Sequence, residues 1–468
     1  HAFHAWQVIN RPMSGPPAFH MYDTLSYLGD ARALQAGEPM SPAFQDRPLL
    51  PCLIAFFSTF HLPVWTVLFV PILLQGFLVY AIGFIAFFMS GRTATAGLAA
   101  LLTAIYPNFY YSIPQLGTDA MGTQFMMLAI ATGLKWRNDS RKTWGFLSGF
   151  LWLCAQATRP TFMPIAALMP FLLWPLWRDK SRRKSLVLFM AFLTLFPLGL
   201  SVKNEILYGI PSANLTRPEM LSRCLVAKIN TMKRHFEHPA PLSKYWEEER
   251  DRLAVQDADW AALDLYNPGK RDRGEFSQTY VRLVNRMNEH VQQDSRWLWR
   301  GAHIPYYSLF LSRPPSFSPI PTDTPPAFWQ SWGLRLDKLF LLFALMGIPV
   351  LLRHVPSIGL LWGGLLFLLL APLVVFMWLL PATRLPVDAL AVPVAALAFS
   401  NPRSWILLAT WGLIGILPCK LNLLPLPWCE VVWLAAITAS FFWTGATCIS
   451  TGLRASKQSK PERLPCEF

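Results

Sequence analysis

The sequence predicts an all-α polytopic membrane protein, a bundle of about eleven transmembrane helices bearing a mainly helical domain on one side. Three observations predict it. Of the 468 residues, 53% are hydrophobic and 14% aromatic, and the apolar residues gather in repeated runs close to the ~20 residues that cross a bilayer. Basic residues keep to alternate loops. One long polar segment, 202–333, interrupts the runs and has helical periodicity of its own.

The chain opens polar. Within HMYDTLSYLGDARALQAGEP (20–39) a helix between Met21 and Ala36 stacks Asp23, Tyr27 and Asp30 on one face, because spacings of four and three residues share a face. The opposite edge carries Met21, Leu25 and Leu28. A turn over Gly37 to Pro42 leads to QDRPLLPCLIAFF, in which Asp46 and Arg47 precede an apolar, proline-punctuated segment. That segment is expected to lie along the membrane surface until the chain enters at His61. Two readings of residues 1–62 stand side by side: an interfacial amphipathic helix whose charges are merely solvated, or a helix that holds a carboxylate for chemistry.

Spans follow at about 63–89, 93–111, 119–136, 144–158, 161–177, 185–201, 334–352, 356–380, 386–400, 404–419 and 428–450. Arg92, the runs KWRNDSRK and WRDKSRRK, Arg353, Arg403 and the tail LRASKQSKPERLPCEF alternate with unmarked loops. They hold sixteen Lys and Arg against four acids, accounting for +12 of the net +14. Positive charge marks the cytoplasmic side, so residues 1–62 and 202–333 lie outside, and the pI near 9.6 reflects topology with no support for nucleic acid as a partner. The divisions are a first extracytoplasmic loop (1–62), an N-terminal transmembrane bundle (63–201), an extracytoplasmic helical domain (202–333), a C-terminal bundle (334–450) and a basic cytoplasmic tail (451–468). The sequence begins at His1, and the expectation is a further span before it, twelve in the full chain. Most of the seven cysteines sit in apolar spans and read as small core residues. His235 and His238 in HFEH stand a turn apart without a third ligand, which is too few for a metal site.

In the outer segment, LSRCLVAKINTMKRHF repeats Leu221, Leu225, Ile229, Met232 and Phe236, and EFSQTYVRLVNRMNEHVQQ repeats Tyr280, Leu283, Val284 and Met287. Both are helical stripes. The Pro- and aromatic-rich stretch 304–329 disfavours a continuous helix and reads as an extended, membrane-hugging loop.

Three charges at outer helix ends run against the topological trend. Asp119 opens a span after Gly117 and Thr118, Arg159 ends the span LCAQATRPTF, and Arg384 lies in WLLPATRLPVDALAVP. A charge in the apolar zone costs ~2.5–3.5 kcal/mol on insertion scales. An anionic group at the outer leaflet would offset that cost. The alternatives are that the arginines snorkel to headgroups, or pair with Asp119 and Asp388.

The order of these motifs resembles the GT-C glycosyltransferases that use a polyprenyl-phosphate sugar, the group of the dolichyl-phosphate-mannose protein mannosyltransferases and the lipid A aminoarabinose transferase. Asp23, Tyr27, Ala31 and Gly37 are similar to the family's first-loop pattern, and Asp46, Arg47, Pro48 and Leu49 to the acid-base-Pro-apolar element that follows it. Asp119 is similar to the second acid, and GFLSGFLWLCAQATRPTF to the Gly-rich span with a Thr-Arg end. VKNEILYGIPSANL resembles the lead into the outer domain, and TRLPVDALAVP the late Arg element, with Leu385 where an aromatic is frequent. The acid pair of the protein mannosyltransferases stands here as Tyr22-Asp23.

What the resemblance implies is a GT-C-like bundle and transfer of a sugar from a polyprenyl-phosphate donor to an extracytoplasmic acceptor: glycolipid, polysaccharide or protein. The chemistry needs a base for the acceptor's proton and cations for the departing phosphate. Asp23 is the expected base. Asp119 orients the acceptor or holds an arginine; Arg47 and Arg384 are the expected phosphate clamps, with Tyr27, Asp46 and Arg159 binding substrate. No cofactor is required, and no residue set supports a divalent cation. The expected partners are the lipid-linked sugar, its acceptor and membrane lipids, and the expected place is a bacterial inner membrane with the site facing the periplasm or exterior. Competing classes are an oligosaccharide ligase or polymerase using a pyrophosphate-linked donor, and a polytopic transporter. The latter should show mid-span ionisable residues and two related halves, and neither is visible.

Overall fold

The computed structural model describes residues 22–38, 40, 46–106, 109, 117–139, 141–177, 179, 182–215 and 273–293, parts of 343–366, and 381–401 and 405. Every extended element among the described residues is helical. Helix α1 spans Tyr22–Gln35. It ends where Gly37 adopts φ +74°, with Gly37 N–H donating to the Leu34 carbonyl and Glu38 N–H to that of Ala33, the two bonds of a Schellman cap that glycine alone enters without steric cost. After Pro48 comes α2, Leu49–Thr59. It packs on α1, burying Leu50 and Ile54 with Tyr27 and Ala31, while Phe56 and Phe60 stay exposed.

A 3-10 turn at Val64–Leu68 feeds α3, Phe69–Ser90, and then come α4, Thr93–Ile105, α5, Thr118–Asn138, and α6, Lys142–Thr158. Helix α5 is the hub, packed against α3 and most extensively against α6. The α5–α6 seam is built from small residues: Ser148 donates to the Ala129 carbonyl at 2.7 Å, Gly145 faces the Trp136 indole and Gly133 faces Ser148. Small residues at membrane helix interfaces let backbones approach closely, where van der Waals contact rather than the hydrophobic effect drives association.

The expected span 161–177 is broken into α7 (Phe162–Ala166), α8 (Met169–Leu172) and α9 (Trp174–Trp177). Pro164, Pro170 and Pro175 each remove an N–H and crowd the preceding turn. Helix α10, Arg183–Tyr208, runs two turns beyond its expected end. It carries α11, Arg273–Gln293, and α12 spans Pro381–Phe399 against α3, α4 and α5.

Among the described residues two helices, Thr66–Ser90 and Arg183–Tyr208, are long and apolar enough to cross a membrane; Leu49–Thr59, Thr93–Ile105, Phe162–Phe171 and Leu385–Phe399 are shorter apolar helices. Phe69, Leu73, Phe77 and Tyr80 of α3, and Leu195, Leu198, Val202 and Ile206 of α10, are exposed, apolar surface on a scale that marks contact with lipid or another protein. Arg182, in the second basic run, donates to the Trp136 and Arg137 carbonyls at the C-terminus of α5, a cation at the negative end of the helix dipole. The expected spans 404–419 and 428–450, the tail, His235, His238, the 221–236 stripe and the 304–329 loop lie outside the described residues, as do parts of the spans 334–352 and 356–380.

Candidate functional site

At the end of the bundle beneath α1, the sequence of α5 begins Gly117-Thr118-Asp119. Gly117 is the extended N-cap and Asp119 lies in the first turn, where the helix dipole favours a carboxylate. Helix α6 arrives beside it and stops at Thr158. Pro160 disfavours the α region for the residue before it, and Arg159 is accordingly extended, φ −159° and ψ 126°. That turn throws its side chain toward α5, where the guanidinium forms an ion pair with Asp119; the side chains are 17% and 16% exposed. Gly122, one turn along α5, makes the approach possible, since a Cβ there would collide with the Phe162 ring and the Thr158 hydroxyl.

Helix α1 lies over this point with its polar face inward. Tyr27 is buried, as are Asp30 and Asp46. The Tyr27 phenol stands 3.2 Å from the Thr118 hydroxyl, and Arg47 donates to the same phenol oxygen at 3.4 Å. Arg47 also faces Asp46 at 3.7 Å. A seam of polar groups therefore runs from Asp46 through Arg47 and Tyr27 to Thr118, which is joined covalently to Asp119 and through it to Arg159. The reading in which the α1 charges are merely solvated does not describe Asp30. For Arg159 the pairing alternative is the one found.

Asp23 occupies the first turn of α1, one turn before Tyr27, and Arg384 the first turn of α12. Their side chains lie outside the described ones. Sequence reasoning gave no role to Thr118, Gly122 or the buried pair Gln124 and Gln75, whose amides meet at 3.1 Å while Gln124 also donates to the Pro71 carbonyl at 3.0 Å. The signal for Gly122 is the small residue four positions beyond Thr118, which puts both on one face of α5.

The C-terminal end of α10 is a docking platform. Asn204 donates to the Ser212 carbonyl at 2.6 Å and Gly209, φ +69°, ends the helix. Onto this turn α11 lays three donors: Arg273 to the Glu205 carbonyl, Ser277 to the Gly209 carbonyl and Tyr280 to the Leu215 carbonyl. Burial pushes the Tyr280 phenol well above its ordinary pKa.

Two arginines and two carboxylates at the mouth of an apolar bundle can hold an anion and orient a nucleophile. Comparison with known families now decides the class. Residues 45–200 match the family described as dolichyl-phosphate-mannose-protein mannosyltransferase. The segment is thus similar to a family of the GT-C superfamily. The match takes in Asp46, Arg47, Thr118, Asp119 and Arg159, and it ends before the outer domain; α1 with Asp23 and Tyr27, and α12 with Arg384, lie beyond it. No curated protein matches the chain. The family is one of membrane-embedded glycosyltransferases, and the helical architecture described above is consistent with the GT-C fold.

Proposed function

We propose that this protein moves a sugar from a polyprenyl-phosphate donor to an extracytoplasmic acceptor, with inversion at the anomeric carbon. The observation that carries the reading is the chain of contacts from Arg47 through the Tyr27 phenol to Thr118, the neighbour of the paired Asp119, with Arg47, Thr118, Asp119 and Arg159 all inside the segment that matches a glycosyltransferase family. In this reading Asp23 removes the acceptor's proton as the acceptor oxygen or nitrogen bonds to the anomeric carbon. The carbon–oxygen bond to phosphate breaks, and the lipid monophosphate leaves with the electron pair. Arg47 and Arg384 take up the phosphate charge, since guanidinium forks suit its oxygens. Asp119 holds Arg159 and borders the acceptor's path. In this reading the bundle lies in a bacterial inner membrane with the mouth facing the periplasm or exterior.

The decisive experiment is sugar transfer by Asp23→Asn under saturating donor. Turnover is expected to fall by at least the ~10²-fold typical of a lost general base, with donor binding retained. Near-normal turnover would remove Asp23 from the mechanism. Mass spectrometry of copurifying lipid separates the donor classes: a monophosphate bearing one sugar supports this reading, and a pyrophosphate bearing several supports a ligase or polymerase.

A further inference from the structure

We propose that Thr118 is a positioning residue, setting the Arg47 guanidinium through the phenol of Tyr27. The inference rests on the reading above that Arg47 binds the donor's phosphate. Thr118 is the first residue of α5 and is buried. Among the described residues its hydroxyl has one hydrogen-bond partner, Tyr27, at 3.2 Å. A guanidinium can only donate, so the phenol oxygen that receives Arg47 at 3.4 Å is the same atom that Thr118 holds in place. Tyr27 is itself packed with Ala31, Leu50 and Met121, which fixes the ring, so what the Thr118 contact sets is the direction of the phenol O–H and with it the lone pair offered to Arg47.

The arrangement matters because a long, flexible side chain must lose rotamer freedom before it can grip phosphate with two parallel bonds. Arg47 sits in the turn just ahead of α2, and Asp119 in α5. Without a tie between these elements, the distance between the donor clamp and the acid at the mouth of α5 would vary with every movement of α1. Thr118 supplies the tie and is the immediate neighbour of Asp119, so the clamp and the Asp119–Arg159 pair are referred to one backbone position. A valine of the same shape would fill the site and keep the helix, but it would leave the phenol without this partner.

The test measures binding of radiolabelled undecaprenyl phosphate to the purified full-length protein in lipid nanodiscs, with the melting temperature followed in parallel. Arg47→Met should weaken binding at least tenfold. Thr118→Val should weaken it about 3- to 10-fold, the range of one lost hydrogen bond, and Thr118→Ser should restore it to within twofold. Adding Thr118→Val to Tyr27→Phe should cost no further affinity. If Arg47→Met weakens binding and Thr118→Val does not, the positioning role is wrong and the proposed function stands. If Arg47→Met also binds normally, the assignment of Arg47 falls and takes this inference with it. Tyr27→Phe severs the same link from the other side and decides the matter should Thr118→Val fail to fold.

Discussion

Breaking the Asp119–Arg159 pair should destabilise the bundle unequally from its two sides. Both side chains are about five-sixths buried, between the regime of exposed pairs, worth ~0.2–1 kcal/mol, and fully buried ones, whose disruption costs ~3–5 kcal/mol. A single truncation here should cost about 2–3 kcal/mol. The direction follows from the position of the pair at the first turn of α5. Arg159→Met leaves Asp119 facing the positive end of the helix dipole, which still favours it, whereas Asp119→Asn leaves a guanidinium facing that same positive end. Asp119→Asn should therefore be the more destabilising by about 0.3–1 kcal/mol. The assay is reversible unfolding in mixed micelles for the wild type, both single variants and the double variant. The double should lose less than the sum of the singles by ~1–3 kcal/mol. Additivity within ~0.5 kcal/mol, or a greater loss in Arg159→Met, would refute this account of how α6 is held to α5.

Gly122→Ala should lower the melting temperature, because its Cβ meets Phe162 and Thr158 and overpacking costs ~1–3 kcal/mol; trimming the ring with Phe162→Leu in that background should recover part of the loss, and an unchanged melting temperature would sink the close-approach argument. Gln124→Leu, which removes two hydrogen bonds between α5 and α3, should cost about 0.5–1.5 kcal/mol in the same unfolding assay. The docking of α11 should weaken as pH rises above the ordinary phenol value of ~10, seen as faster amide exchange in 273–293. The folded-state pKa of Tyr280 is raised, so the docked form binds the more protons there and loses stability with rising pH; Tyr280→Phe should abolish that dependence.

The family resemblance of the 45–200 segment was legible because it is written in residue order. Motif order needs no tertiary knowledge. Arg159 was legible as a charge at a helix end, and its pairing with Asp119 stood among the alternatives without being singled out. What decided the pairing is Gly122, whose missing side chain matters only once the Phe162 ring is known to lie against it. The break-up of 161–177 was readable in principle, because prolines at 164, 170 and 175 cannot be carried by one regular helix; an apolar run of the right length outweighed them.

Helix α1 carries the deeper lesson. Asp23, Tyr27 and Asp30 share a face, and on a helix at a membrane surface a polar face is ordinarily the wet one. Here Tyr27 and Asp30 are buried and α1 rests on α2 through Tyr27 and Ala31, so the polar face is the packed one. Periodicity identifies which residues lie together but gives no sign to the direction, because a polar stripe can face water or face a polar seam within the protein. The sign comes from the partners: Thr118 and Arg47, ninety-one and twenty residues away along the chain, supply groups that Tyr27 can satisfy only by turning inward. A buried polar group without such partners costs ~1–3 kcal/mol, so their presence makes the inward orientation affordable.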